Sequence, residues 1–111
     1  MQVEVEEQGG VTVVRLAGDL TAASDHEVMN RVLRLLDRER ARVVLDLGGV
    51  PLISSDGLGV LVRLTAQANS QDCRLVLAQP TPFVSGVLEV TRLNRFFEVF
   101  PDVASAVGAM S

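Results

Sequence analysis

Residues 44–62 have the sequence VLDLGGVPLISSDGLGVLV, and this stretch carries the clearest structural signals of the chain. The nearly continuous apolar run at 42–47 is typical of a strand buried at the centre of a sheet. Glycine and proline at 48–51 predict that the strand ends there. The serines and aspartate at 54–56 are possible N-caps, so we expect a helix over about 57–69. The stretch therefore predicts a strand, a tight loop and a helix in succession.

Strand and helix signals continue on the N-terminal side of this stretch. Two extended segments, 3–5 and 11–16, are separated by a glycine pair at 9–10, which is a hairpin signal. Apolar residues then recur at helical spacing over 28–36, and the polar pair at 24–25 can cap that helix.

The C-terminal side shows the same alternation. A second buried strand is predicted at 74–78, followed by a helix that starts at Pro82 and runs to about residue 91. A last short strand at 97–100 precedes a terminal helix over 101–110. The order β-β-α-β-α-β-α-β-α predicts an α/β fold in which about five strands form a mixed, mostly parallel sheet packed with about four helices.

Composition limits the possible functions. The chain has 111 residues, 48% of them hydrophobic, and we predict a single domain over 1–111. A net charge of −4 disfavours direct binding to nucleic acid or to an anionic membrane. No signal peptide or membrane-spanning segment is recognisable, so we expect a cytoplasmic protein. With one cysteine and one histidine, we predict no metal site and no cofactor.

A hydrolase is the main enzymatic alternative. Ser55, His26 and an aspartate could in principle form a catalytic triad. The G-x-S-x-G elbow is absent, however, and His26 lies between two acidic residues in the first turn of an exposed helix. We therefore expect a solvated histidine and no catalytic residue.

The polar cluster Ser54, Ser55 and Asp56 allows two interpretations. A helix N-terminus has free backbone N–H groups and a partial positive charge, so it stabilises an anion such as a phosphate placed on a serine. The same residues can instead serve as helix caps and nothing more, which is the more common role of such residues at the start of a helix. The residues alone leave both interpretations open.

Several motifs together resemble the STAS domain, and more narrowly the bacterial anti-sigma factor antagonists. They are the strand Leu-Asp-Leu at 45–47, followed by Ile-Ser-Ser-Asp-Gly-Leu-Gly-Val-Leu at 53–61. Gly-Asp-Leu at 18–20 is similar to the G-x-L loop of that family, and 88–100 is similar to its closing helix–strand unit. The resemblance covers essentially the whole chain and implies a STAS-like fold.

This resemblance implies a partner-switching protein with no catalytic role of its own. Such proteins bind an anti-sigma factor, usually a serine kinase of the histidine-kinase-like ATPase type, and free a sigma factor. The kinase phosphorylates a serine at the start of a helix and so releases the antagonist. A serine phosphatase reverses the modification.

The family pattern D-S-S-G-L-G places the modified serine at Ser55. Ser54 stands where the family often has aspartate, and Asp56 stands where it often has the second serine. Asp56 would repel a phosphate on Ser55, whereas the helix N-terminus would attract it. Phosphorylation of Ser54, or no regulatory phosphorylation, remain the alternatives.

We expect the partner-binding surface to surround Ser55. Glycines 57 and 59 would allow close backbone approach, and Leu58 or Val60 could supply an apolar anchor, whereas Leu61 and Leu64 would be core. The predicted partner-binding residues are Asp19, Leu20, Thr21, Ser24, Ser54, Asp56, Gly57, Leu58, Gly59 and Val60.

Two further possibilities remain open. Similar single-domain proteins serve as scaffold subunits of stress-sensing complexes or as partners of lipid-transport ATPases, and neither role needs an exchangeable phosphate. A homodimer is also possible if the last strand or the strand at 11–16 lies at a sheet edge.

Overall fold

Strands and helices alternate in the predicted order in the computed structural model, which describes residues 1–111. A single 3-10 turn, Leu93–Arg95, precedes the last strand. The strands are β1 (Gln2–Gln8), β2 (Val11–Ala17), β3 (Arg42–Gly49), β4 (Arg74–Ala78) and β5 (Val99–Phe100). The helices are α1 (Asp25–Leu36), α2 (Ser55–Ser70), α3 (Pro82–Val90) and α4 (Val103–Met110).

The five strands form one mixed sheet in the order β1-β2-β3-β4-β5. β1 is antiparallel to β2, and every other neighbouring pair is parallel. Gly9 and Gly10 make the connecting turn with φ of 58° and 80°, values that glycine adopts without steric cost. The predicted fold class, hairpin and parallel crossovers are therefore confirmed.

Helices cover both faces of the sheet. Because alternate side chains of a strand point to opposite faces, the strands contribute apolar residues to a core on each side. Residues such as Val14, Leu45 and Leu77 belong to the larger core, to which α1, α2 and α3 contribute. Val44 and Val76 point the other way and pack in a smaller core with α4. The three helices that begin beyond the carboxyl ends of β2, β3 and β4 thus lie together on one side.

Arginines at the start of β3 and β4 hold the end of α4. Arg42 donates a hydrogen bond to the Met110 carbonyl, and Arg74 donates to the Ala109 carbonyl at 3.3 Å. Arg74 also binds Glu98 through Nε–Oε1 and Nη2–Oε2 contacts of 3.0 and 2.7 Å. These hydrogen bonds lower the pKa of Glu98 and raise the pKa of Arg74. Cationic groups at a helix C-terminus satisfy its free carbonyls and oppose its dipole.

Several predicted boundaries are wrong, and for three of them the structure shows the cause. β3 continues through Gly49, where a Cβ would lie 2.8 Å from the Leu16 carbonyl oxygen, so glycine lets β2 and β3 approach each other. α2 begins at Ser55 rather than at about 57, because Ser54 is its N-cap. β5 is only two residues long because Phe97 turns into the core, where it is 5% exposed.

β2 is also not an edge strand, because it lies between β1 and β3. The free edges belong to β1 and β5. β1 carries three exposed glutamates over its seven residues, and like charges oppose pairing of two copies of such an edge.

Replacing Thr65 by valine is expected to stabilise the protein. Thr65 is 4% exposed in α2, and its hydroxyl has no hydrogen-bond partner. Removing a buried, unpaired hydroxyl at nearly constant shape should raise the free energy of unfolding by about 1 kcal/mol, as urea denaturation can measure. Thr12→Val is the control, because the Thr12 hydroxyl donates to Glu7 Oε1 at 2.9 Å and its loss should destabilise. Equal effects of both changes would contradict the argument.

Candidate functional site

The candidate site lies where β2 and β3 end and their chains leave the sheet. Ligands and partners of α/β proteins commonly bind at the carboxyl ends of parallel strands, because the connecting loops and the helix N-termini meet there. Here the loop 18–24 leads from β2 to α1, and the loop 50–54 leads from β3 to α2. We call the first the β2–α1 loop and the second the β3–α2 loop.

Backbone contacts hold the two loops side by side. Leu20 and Ile53 form an isolated parallel bridge. The Leu20 N–H donates to the Leu52 carbonyl at 3.0 Å, and the Ser54 N–H donates to the Leu20 carbonyl at 3.0 Å. The bridge extends the β2–β3 pairing beyond the sheet, so the β2–α1 loop is fixed directly beside the start of α2.

Gly57 brings the first turn of α2 against this loop. A Cβ at residue 57 would lie 2.1 Å from the Leu20 carbonyl oxygen and 2.9 Å from Leu20 Cγ. A hydrogen atom is therefore the largest group that this position accepts. Gly59 differs, because a Cβ there would meet no atom within 4 Å. Both glycines were expected to allow another part of the backbone to approach closely. Within the chain, only Gly57 makes such a close contact.

Ser54 caps α2. Its backbone is extended, with φ −92° and ψ 174°, and its Oγ accepts a hydrogen bond from the Gly57 N–H at 3.2 Å. The residue is half-buried, and its backbone N–H donates to the Leu20 carbonyl. Its hydroxyl oxygen is thus occupied by a structural contact.

Ser55 occupies the first helical position and is exposed. Its hydroxyl takes part in no hydrogen bond within the chain, in contrast to that of Ser54. Asp56 follows it in the first turn and is also exposed. The first N–H groups of a helix have no intrahelical acceptor, so an anion on Ser55 would find donors nearby as well as the Asp56 carboxylate.

A shallow cleft of about 480 Å³ extends from Ser55 along α2 towards the 3-10 turn. Three of its residues, Val62, Arg63 and Leu93, are not among the predicted partner-binding residues. The first two could have been found from helical spacing, because residues seven and eight positions after Ser55 share its face. Leu93 comes from a separate element and needs the tertiary structure. The lining residues are Ser55, Asp56, Leu58, Gly59, Val62, Arg63 and Leu93.

The predicted partner-binding residues divide by exposure. Leu20, Ser24, Gly57 and Val60 are buried, so they support the surface from beneath and do not reach it. The suggestion that Val60 is an exposed anchor is wrong, because its side chain packs in the larger core. Leu61 and Leu64 are core, as expected. The exposed or half-buried residues beside Ser55 are Asp19, Thr21, Ser54, Asp56, Leu58 and Gly59.

Ser24 shapes the β2–α1 loop from inside. Its Oγ donates to the Asp19 carbonyl at 2.9 Å and accepts from the Thr21 N–H at 3.1 Å. It precedes α1, but its side chain forms no capping hydrogen bond to that helix. The hydroxyl therefore closes the loop that presents Asp19.

The arrangement lacks the contacts of a hydrolase. The His26 side chain is 95% exposed, and its nearest carboxylate atom is Asp25 Oδ1 at 4.0 Å from Nε2. No hydrogen bond links Ser55 to His26, so neither a base nor an orienting acid acts on the Ser55 hydroxyl. No group of three or more His, Cys, Asp or Glu side chains converges as metal ligands would. None of the helices combines the length and apolar character that crossing a membrane requires.

Comparison with known proteins gives a consistent result. The family model of the STAS domain matches residues 2–106. The chain is 30% identical over 101 residues to BtrV of Bordetella bronchiseptica, a candidate anti-sigma factor antagonist, covering 91% of this chain and 84% of that protein. It is 26% identical to the anti-sigma F factor antagonist of Paenibacillus polymyxa, covering 96% of this chain and 92% of that one.

The fold also matches a solved structure closely. A candidate anti-sigma factor antagonist from Thermotoga maritima superposes with a TM-score of 0.90 at 22% identity. The match covers 96% of this chain and 92% of that one. At this level of identity the likeness shows a shared fold.

Proposed function

Because the chain belongs to the STAS-domain family of anti-sigma factor antagonists, we propose that it captures an anti-sigma factor and thereby frees a sigma factor. The partner would be a serine kinase of the histidine-kinase-like ATPase type. In this proposal the protein is a kinase substrate and not an enzyme. It binds no nucleic acid directly, which agrees with its net charge of −4.

The observation that carries the proposal is the placement of Ser55. It is the exposed first residue of α2, and its hydroxyl is free of internal hydrogen bonds. Ser54 is less suitable as the acceptor, because its Oγ caps the helix through the Gly57 N–H. We therefore take Ser55 as the phosphorylated residue, with a serine phosphatase restoring the hydroxyl.

A phosphate on Ser55 would act locally. It adds about −1.5 to −2 charges at neutral pH, beside the exposed carboxylate of Asp56. The helix N-terminus compensates part of that charge in the free protein. A bound partner would have to desolvate the rest, so phosphorylation would release it without a change of fold. The buried bridge between Leu20 and Ile53 can stay intact throughout.

Intact-mass analysis tests the phosphorylation step. The protein is incubated with ATP and each purified anti-sigma kinase of its source organism, and the products are mapped by peptide mass spectrometry. We expect one added phosphate, located on Ser55. Ser55→Ala should abolish this phosphorylation. Ser54→Asp should leave it unchanged, because aspartate caps the helix as well as serine does. Since aspartate has no hydroxyl, a phosphate on this variant cannot lie on residue 54.

Two outcomes would contradict this assignment. Normal phosphate incorporation in Ser55→Ala would exclude Ser55 as the acceptor. Stable binding to a kinase with no phosphorylation under any condition would instead identify a constitutive antagonist, and the Ser54 and Asp56 departures would then explain the difference.

A further inference from the structure

The cleft beside Ser55 runs over a glycine in the middle of α2. Ser55, Gly59 and Val62 follow one another on the same face of the helix, and Gly59 forms the floor between the other two. Leu58 and Leu93 are half-buried and line the same cleft. The cleft is therefore mostly apolar and shallow, and it opens onto the surface that carries the proposed phosphorylation site.

Nothing within the chain requires glycine at residue 59. A Cβ there would meet no atom within 4 Å, whereas at residue 57 it would collide with the Leu20 carbonyl oxygen. Glycine inside a helix is less stable than alanine, because it loses more backbone freedom on folding. The open space above Gly59 therefore leaves the floor of the cleft accessible to a side chain that binds from outside.

The two ends of the cleft carry opposite charges that the chain leaves unpaired. Asp56 lies at one end and Arg63 at the other, and neither takes part in an ion pair. They are seven residues apart on α2, which is about 10 Å along the helix axis and too far for direct contact. The apolar floor thus lies between a free carboxylate and a free guanidinium.

We propose that this cleft receives an apolar side chain of the anti-sigma factor, with a basic residue of the partner at Asp56 and an acidic residue at Arg63. This inference rests on the proposed function and specifies the chemistry of its partner. A partner helix lying along α2 would match this arrangement if it carried a basic and an acidic residue two turns apart. A leucine, isoleucine or methionine between them would fill the cleft. Charge complementarity of this kind sets the orientation of the bound segment.

Filling the cleft tests its apolar part. Gly59→Leu places a side chain over the floor, and the open space there predicts that the fold tolerates it. The matched control is Gly108→Leu, because Gly108 is an exposed glycine of α4 with equally open surroundings on the other face of the sheet. Measured by isothermal titration calorimetry with the purified anti-sigma kinase, Gly59→Leu should weaken binding about tenfold or more, and Gly108→Leu by less than about twofold.

Reversing the charge at Arg63 tests the polar part. Arg63→Glu should weaken binding about tenfold or more, because an acidic partner residue would then face a carboxylate. Arg31→Glu changes the net charge by the same amount on the exposed surface of α1, where Arg31 forms no ion pair. Its effect should stay within about twofold.

The two proposals can fail separately. If the wild-type protein binds an anti-sigma kinase and both Gly59→Leu and Arg63→Glu behave like their controls, the cleft is not the docking site and the proposed function stands. If the wild-type protein binds no anti-sigma kinase of its source organism, the proposed function and the assignment of the cleft are both overturned. Thermal melting of each variant separates weakened binding from loss of fold.

Discussion

Gly57→Ala is expected to destabilise the protein by about 3 kcal/mol, which corresponds to a fall in Tm of about 10 °C or more. The cause is a collision with backbone rather than with a flexible side chain. The added Cβ would lie 2.1 Å from the Leu20 carbonyl oxygen and 2.8 Å from its carbonyl carbon. The same carbonyl accepts the hydrogen bond from the Ser54 N–H, so relief by moving the β2–α1 loop breaks that bond too.

Gly59→Ala is the matched control for this prediction. It makes the same change two residues later in the same helix, where a Cβ meets no atom within 4 Å. Alanine should therefore stabilise α2 there by about 0.5–1 kcal/mol. Thermal melting and urea denaturation of the two variants measure the contrast. Equal losses at both positions would show that α2 does not pack against Leu20 as described.

The Gly57 substitution should also affect the candidate site. Leu20 is fully buried between the loops, and its displacement would move Asp19 away from Ser55. Partner binding should fall together with stability in Gly57→Ala, whereas Gly59→Ala adds only a methyl group to the cleft floor. This difference would identify the contact between the β2–α1 loop and α2 as a support of the docking surface.

Sequence patterns predicted the elements of this fold well, because each element carries a local signal. Apolar periodicity located α1, and the Gly-Gly pair located the first hairpin, without knowledge of what packs against them. β5 was overestimated for a tertiary reason. Phe97 has the apolar character of a strand residue, but its side chain packs in the larger core. Only two residues therefore pair with β4.

The candidate site was less predictable, because it depends on which neighbours a residue meets. Gly57 and Gly59 are indistinguishable in the sequence, and only the position of the Leu20 carbonyl separates a required glycine from an open one. Leu58 and Val60 posed the same difficulty, since a helix on a sheet buries one side and the sequence of α2 is apolar on most of its circumference. Val60 proved to be core and Leu58 half-buried.

Ser55→Glu is expected to weaken binding to the anti-sigma factor about 100-fold, or about 2.7 kcal/mol. The substitution places a carboxylate at the exposed first position of α2, next to that of Asp56. The one basic partner residue proposed at Asp56 can balance only one of these two carboxylates, so a partner that covers this position must desolvate the other without compensation. The free protein should keep its stability, because acidic residues are favourable in the first turn of a helix. The weaker binding would therefore arise from the complex and not from a less stable fold.

Ser55→Gln separates the effect of charge from the effect of size. Glutamine has nearly the shape of glutamate and no charge, so any clash it causes is shared by both variants. We expect calorimetric titration with the anti-sigma kinase to show at least about tenfold weaker binding for glutamate than for glutamine. The ratio should shrink as ionic strength rises, because salt screens partly exposed charges. Equal affinities would mean that bulk at Ser55, rather than charge, opposes the partner. A phosphate there would then release the partner by steric exclusion, and the exposed carboxylate of Asp56 would have no part in the switch.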